Sequence, residues 1–232
     1  MDNASRESET ELRPQSSSLR ADAERNRERI MAAARRLYAV QGLGVSMAMV
    51  AREAGVGKAT LSRRFSTREE LISAVFSDRM DHYAAATKRG LANPDAWQGF
   101  VGYVEEVCAM QAADRGFAAV LTMTFDGAEA LEARRVGAYE GFLQLIARAR
   151  ATGWLRADFT SADLIVLFMA NCGVITALAD DVPDGWRRLL GHMLRGFATP
   201  DAPLPPMPDA PGHQALYSAM ARIGRSVAVE SA

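Results

Sequence analysis

The chain has 232 residues, 49% of them hydrophobic, 7% aromatic and 24% charged, with a net charge of −1. That balance excludes a disordered chain and leaves enough material for a sizeable core in one or two domains. No apolar run is expected to reach the roughly 18–20 residues of a membrane span, because the longest, residues 164–179, is interrupted by Asn171 and Thr176. With no segment like a signal peptide, and with Cys108 and Cys172 better suited to buried thiols than to a disulfide framework, a cytoplasmic location is expected.

Residues 1–21 are rich in Ser, Glu and Arg and hold almost nothing apolar, which predicts a disordered arm. The first helix is expected over residues 22–40, where Ile30, Ala33, Ala34, Leu37 and Tyr38 repeat at helical spacing and mark one buried stripe. Gly42 ends it.

Residues 46–65 read as two short helices joined by a tight turn. Ser46 can cap the first, its hydroxyl accepting from an unpaired backbone N–H. Gly55 stands where a left-handed residue is wanted, a conformation glycine takes without steric penalty. Ala51 is small where a second helix must cross closely, and Leu61 supplies the apolar knob from that helix. Ala, then Gly four residues on, then Leu six further, is the helix-turn-helix spacing, in which the second helix enters the DNA major groove. Lys58, Thr60, Ser62, Arg63 and Arg64 then fall where donors to phosphates and base edges are needed. An ordinary helical hairpin whose glycine happens to land well is the alternative.

After Phe65, Thr67 and Glu70 form a capping-box pattern that starts a long helix to about residue 88. Ile72, Val75, Phe76, Met80 and Tyr83 line one face and suit a helix shared between a head and a second domain. Asn93-Pro94 opens that second domain with a cap and a first-turn proline, and a helix with Trp97, Phe100, Val104 and Val107 inward runs to about residue 112. Further helices are expected over residues 116–125 and 128–151, the latter with Leu131, Ala138, Phe142, Leu145, Ile146 and Ala149 inward. Thr160 and Asp163 cap the next, which is apolar on nearly every side to residue 179 and is therefore buried on every side. A final amphipathic stripe includes Trp186, Leu190, Leu194 and Phe197. Residues 200–232 are expected as a proline-rich tail with one weak helix over 214–224.

No stretch alternates like a strand, so the fold class is all-α: a three-helix head within residues 22–88 and a helical domain over residues 89–199. Charge divides along the same line. Residues 20–68 hold eleven basic and four acidic side chains, a balance of +7, which leaves −8 for the remainder. One end built to grip a polyanion has a reason for that division. Arg20 and its neighbours could extend the grip into a minor groove.

Residues 51–71, Ala-Arg-Glu-Ala-Gly-Val-Gly-Lys-Ala-Thr-Leu-Ser-Arg-Arg-Phe-Ser-Thr-Arg-Glu-Glu-Leu, resemble the DNA-binding segment of the tetracycline-repressor (TetR) family of bacterial transcription regulators. The resemblance is dense over residues 25–80; beyond that only helical layout and length agree. Ser62 stands where the family usually has Tyr, and Arg64 where it often has His, both positions that normally touch phosphates. The resemblance implies a ligand-released repressor acting as a homodimer on a palindromic double-stranded DNA operator. Lys58, Thr60, Ser62, Arg64 and Arg68 are expected at phosphates, Ala59 and Arg63 at base edges, and Ser46 is counted with them among the DNA-binding residues.

Two apolar-rich C-terminal helices also suit a two-fold interface. Leu164, Phe168, Ile175, Trp186, Leu190, Met193 and Phe197 are the expected dimerisation residues. The family resemblance further implies a cavity for an apolar small-molecule effector in the second domain, where Tyr103, Val107, Met110, Met123, Phe125, Phe142, Met169, Asn171 and Cys172 are candidates to line it. The same residues could be plain core. Asn171 is the most telling, since a buried amide must find partners.

Enzymatic chemistry finds little support. His82, His192 and His213 are isolated, with no metal-ligand spacing, and no glycine-rich phosphate loop or nucleophile with an adjacent base is present. No cofactor, metal or catalytic residue is expected. Two other functions fit a basic helical end: a small-molecule carrier or enzyme that only looks like a DNA reader, and a nucleoid-type binder without sequence choice.

Overall fold

The computed structural model is all-α, with ten helices and no strand among the described residues. It describes residues 12–122, 129–178 and 180–230, with 12–20, 129–131 and 226–230 as backbone only. The chain divides into two compact units, residues 1–75 and 76–232. The division falls inside α4 (Arg68–Ala92), thirteen residues before the boundary at residue 88 that the sequence suggests. An uninterrupted helix carries no mark of where its packing partners change.

The first unit comprises α1 (Leu12–Gln41), α2 (Met47–Ala54), α3 (Lys58–Arg64) and the start of α4. Ile30, Ala33, Ala34 and Tyr38 form the buried stripe of α1, joined by Val50, Ala51, Leu61, Phe65, Leu71 and Ile72. The arm expected over residues 1–21 is corrected in its second half, because α1 begins at Leu12. Nothing in residues 12–21 breaks a helix: there is no glycine, and Pro14 sits in the first turn, where its missing N–H costs nothing. Residues 1–11 lie outside the described ones.

The second unit continues α4 and adds α5 (Ala96–Ala113), α6 (Arg115–Thr122), α7 (Glu129–Ala151), α8 (Ser161–Leu178), α9 (Gly185–Phe197) and α10 (His213–Glu230). Asp95 rather than Asn93 caps α5, accepting from the Gln98 N–H at 3.0 Å, while the Asn93 side chain accepts from Asp95 N at 3.0 Å. The carboxylate of Asp163 accepts from the backbone and hydroxyl of Thr160 at 2.7 and 2.8 Å, as the expected cap of α8 requires. Around Trp97, Phe100, Tyr103, Val104, Val107, Leu164 and Leu167, all essentially sealed from solvent, α5, α7, α8 and α9 share one core.

Glycines set the closest approach of α4 to α5. A Cβ on Gly99 would lie 2.4 Å from the carbonyl oxygen of Gly90, a backbone atom that cannot swing aside. Gly99→Ala is therefore expected to part the two helices and cost about 1–3 kcal/mol. At roughly 2–4 °C per kcal/mol the melting temperature falls by several degrees; an unchanged melting curve would contradict the close approach.

Two expectations change here. By length and composition α8 is apolar enough to cross a membrane, contrary to the count of uninterrupted residues, yet it packs against α5, α6, α7, α9 and α10 of its own unit. The proposed dimerisation residues Leu164, Phe168, Ile175, Trp186 and Leu190 are buried in their own chain, and Met193 and Phe197 pack against that same core. An all-apolar helix gives no period from which to read which side faces in, so the outward face is a different one. It carries Ile165, Val166 and Met169, which are 46%, 58% and 54% exposed.

The proline-rich segment is not a loose tail. The Trp97 indole donates to Pro203 O at 2.7 Å, Arg195 donates to Pro205 O at 2.9 Å, and Ala202 and Leu204 pack on the core. Beyond it α10 runs the full 213–230, longer than expected, burying Ala219 and tying Arg222 to Asp181 at 3.0 Å and to Ala177 O at 2.8 Å. Trp186 is buried as well, and Trp154 is about a third exposed.

Candidate nucleic-acid interface and cavity

The turn that aims α3 is built from local rules. Ser46 sits in extended backbone and its hydroxyl accepts from Met49 N at 3.3 Å, which leaves its own proton to donate outward. Gly55 is left-handed, with φ 63° and ψ 38°; its N–H bonds Arg52 O and the next N–H, of Val56, bonds Ala51 O at 3.0 Å. Arg29 of α1 donates to Gly55 O at 3.2 Å, holding the turn against α1. Ala51 and Leu61 are buried as the motif requires.

With Leu61 inward, Lys58, Ala59, Ser62, Arg63 and Arg64 are exposed, and Thr60 is half-buried. Ala59, Ser62 and Arg63 share one outer face at i, i+3 and i+4. The basic side chains of the head divide into two sets. Arg29, Arg35 and Arg36 are spent on structure: on Gly55 O, on Val75 O at 3.1 Å and on Glu53 at 3.1 Å. Arg27 lies 4.9 Å over the Phe65 ring. Among the described residues, Lys58, Arg63 and Arg64 form no salt bridge, and Arg63 reaches only the Thr60 hydroxyl at 3.3 Å. Their charge is left for an outside anion. Arg68 differs: it is half-buried and its Nε is closed off from solvent without a hydrogen-bond partner, so the geometry weakens its expected phosphate role.

The capping pattern behind α3 is shifted by one residue. Thr67 accepts from Glu70 N at 3.0 Å, but the Glu70 carboxylate turns back to the N–H and hydroxyl of Ser66, at 2.7 and 2.9 Å. These Ser66 bonds hold the Glu70 carboxyl below the usual glutamate range. A lowered folded-state value makes the stabilisation full above the ordinary glutamate pKa and lost as pH falls through the lowered one. The head of wild type is therefore expected to lose stability in that acid window, and Glu70→Gln is expected to flatten that part of the pH-melting profile; an identical profile in the variant would rule the contact out as its source.

The second unit contains a cavity of about 490 Å³ lined by Tyr83 of α4, Leu121 and Thr122 of α6, Ile165 and Phe168 of α8, and a face of α7 from Glu132 through Arg135, Val136 and Tyr139 to Phe142. Of the nine expected lining residues, Phe142 does line it. Tyr103 stands behind the wall, donating to the Tyr83 hydroxyl at 3.1 Å. Val107 is buried core, and neither Met110 nor Cys172, both half-buried, borders the cavity. Met169 faces outward. Met123 and Phe125 lie outside the described residues. Asn171 is half satisfied inside the chain: its NH2 donates to the Gln111 side chain at 2.8 Å, and Gln111 donates to Phe168 O at 3.2 Å, while the Asn171 Oδ1 is buried with no hydrogen-bond partner among the described residues. The missed residues had a signal, since Glu132, Arg135, Tyr139 and Phe142 recur at helical spacing and mix charge with aromatic rings on one face of α7.

The three histidines are exposed, and among the described residues no three His, Cys, Asp or Glu side chains gather around a metal-sized site. Burial pushes the Cys108 thiol far above its usual range, the reverse of an activated nucleophile.

Comparison with known proteins bears on both units. The sequence model of bacterial regulatory proteins of the tetR family matches residues 30–75, and that of the C-terminal domain of SbtR-like transcriptional regulators matches residues 93–199. No curated protein matches the chain. Among solved structures, a TetR transcription regulatory protein from Mycobacterium vanbaalenii is 30% identical, with 78% of this chain and 99% of that one aligned at a TM-score of 0.43. A bacterial regulatory protein in the tetR family from Rhodococcus RHA1 is 18% identical, covering 76% and 98%, at 0.59. NalD of Pseudomonas aeruginosa, the secondary repressor of a multidrug efflux pump, is 20% identical, covering 78% and 100%, at 0.56.

Proposed function

The chain belongs to the TetR family of bacterial transcription regulators, and from that premise we propose that it is a ligand-released repressor working as a homodimer on a palindromic operator. The observation that carries this reading is the exposed, unpaired cationic face of α3 behind a left-handed Gly55 turn. Lys58, Thr60, Ser62 and Arg64 hold phosphates, while Arg63 reads a guanine and Ala59 a thymine methyl in the major groove.

One such head covers only a half-site, so two copies about one DNA turn apart, roughly 34 Å, are needed for useful affinity. The apolar strip of α8, Ile165, Val166 and Met169, continues into the exposed Val136 and Tyr139 of α7, and the two helices are tied by a Tyr139–Ser161 hydrogen bond of 3.2 Å. An exposed apolar strip of this kind suits a second copy of the chain. The effector occupies the α7–α8 cavity. Because Tyr83 on α4 lines that cavity, an occupant presses on the helix whose first turns follow directly from the reading helix, and this coupling releases the DNA.

The test is binding of the purified full chain to labelled duplexes from the DNA upstream of its own coding sequence. Binding that survives excess random duplex is expected; a complex that random DNA competes away equally well would make the protein a non-specific binder instead.

A further inference from the structure

We propose, resting on the homodimer reading, that α10 is part of the contact between two copies of this chain: its outward apolar arc joins the exposed strip of α8 in one two-fold surface. The domain shared with SbtR-like regulators ends at residue 199, so the proline-rich strap and α10 are additions to it. The strap is fastened along α9. Arg195 and Arg188 donate to the carbonyls of Pro205 and Pro208, and Met207 lies over Gly191, where a Cβ would come within 2.8 Å of its sulfur. That side of α9 is occupied by the chain itself. The strap delivers α10 onto α8 instead, where Arg222 holds Ala177 O and Asp181.

α10 is apolar over a wider arc than its own chain covers. Ala219, Ile223, Leu216, Met220 and Tyr217 follow one another round the helix, while Gln214, Ser218 and Arg225 take the other side. Ala219 is buried and Leu216 half-buried, but Met220 is 69% and Tyr217 74% exposed. A helix that only closed its own core would carry polar residues at those two positions. The size of the interface points the same way. A stable one takes about 800 Å² from each partner, roughly 20–30 residues a side. The outward row of α8, in which Ala162, Ala170 and Gly173 accompany Ile165, Val166 and Met169, falls well short of that even with Val136 and Tyr139 of α7. α10 extends the row directly, because Ala177, whose carbonyl Arg222 holds, lies one turn beyond Gly173 on α8. A second copy is the occupant this patch fits. A two-fold axis sets one surface against itself, and neither the α8 row nor the apolar arc of α10 carries a charge that would meet its own kind there.

The experiment is sedimentation of the full-length protein over a concentration series, with circular dichroism to establish that each variant is folded. Wild type is expected to dimerise. Tyr217→Glu combined with Met220→Glu is expected to weaken that dimer at least about a hundredfold, since each change is met twice across the axis. Gln214→Glu combined with Ser218→Glu, on the polar side of the same helix, is expected to leave it unchanged. A folded Tyr217→Glu, Met220→Glu protein that dimerises as tightly as wild type, or a polar-side variant that weakens the dimer equally, would overturn the role of α10 and leave the homodimer standing on α8. Wild type that stays monomeric throughout the series would sink the homodimer reading together with it.

Discussion

Arg63→Ala is expected to weaken the operator complex about tenfold to a hundredfold for each half-site while leaving random DNA nearly untouched. The reason is position. Arg63 shares the outer face of α3 with Ala59 and Ser62, is exposed, and has no carboxylate to hold it back. A bidentate arginine–guanine contact is worth about 1–3 kcal/mol of discrimination against a wrong base. In a dimer that loss is incurred twice. Lys58→Ala separates the two kinds of contact, because a point charge on a phosphate carries no sequence information. It is expected to weaken operator and random duplexes alike and to reduce the slope of log affinity against log salt by about one per head. Titrations of both variants at several salt concentrations check this; operator and random affinities falling in the same ratio for the two would remove the division of roles.

If the proposed homodimer pairs through α8, Val166→Glu combined with Met169→Glu is expected to leave the protein monomeric and to abolish operator binding. Both side chains are more than half exposed on α8, so in a single chain the substitution touches nothing buried. Across a two-fold axis it sets four carboxylates against one another in a surface that loses its water, at a cost of several kcal/mol per buried charge. The neighbouring candidate helix gives the control. Trp186, Leu190 and Leu194 of α9 point into their own core and His192 is exposed on the other side, so His192→Glu is expected to leave self-association intact. Sedimentation equilibrium decides between them: a double variant that stays dimeric, or a His192→Glu variant that does not, would place the interface elsewhere.

What could be read from the residues was what depends on neighbours in sequence. Ser46, Gly55 and the Ala51–Leu61 spacing fix the turn with contacts a few residues apart, and all three stand as the pattern demands. Thr160 and Asp163 start α8 for the same reason. The hidden part depends on packing across the chain. α8 is apolar on every side, so nothing in its pattern says that Leu164 and Phe168 face the core while Val166 and Met169 face out. The cavity is a gap between side chains of four helices, which is why Phe142 was found on its apolar character but Tyr83 and Arg135 were not. Asn171 drew attention as an amide in need of partners, and Gln111, sixty residues earlier on α5, supplies one for its NH2 but none for its Oδ1. Proline-rich composition likewise concealed that Pro203 accepts from the Trp97 indole and that the helix expected over 214–224 extends over 213–230.

The placement of the indoles has an experimental consequence. Trp97, Trp154 and Trp186 all belong to residues 76–232, and the first 75 residues contain none. Tryptophan emission, excited selectively, therefore monitors the larger unit alone, while far-ultraviolet circular dichroism sums over both. A denaturant titration followed by the two optical signals together resolves whether the reading head comes apart before its companion, without any label or truncation.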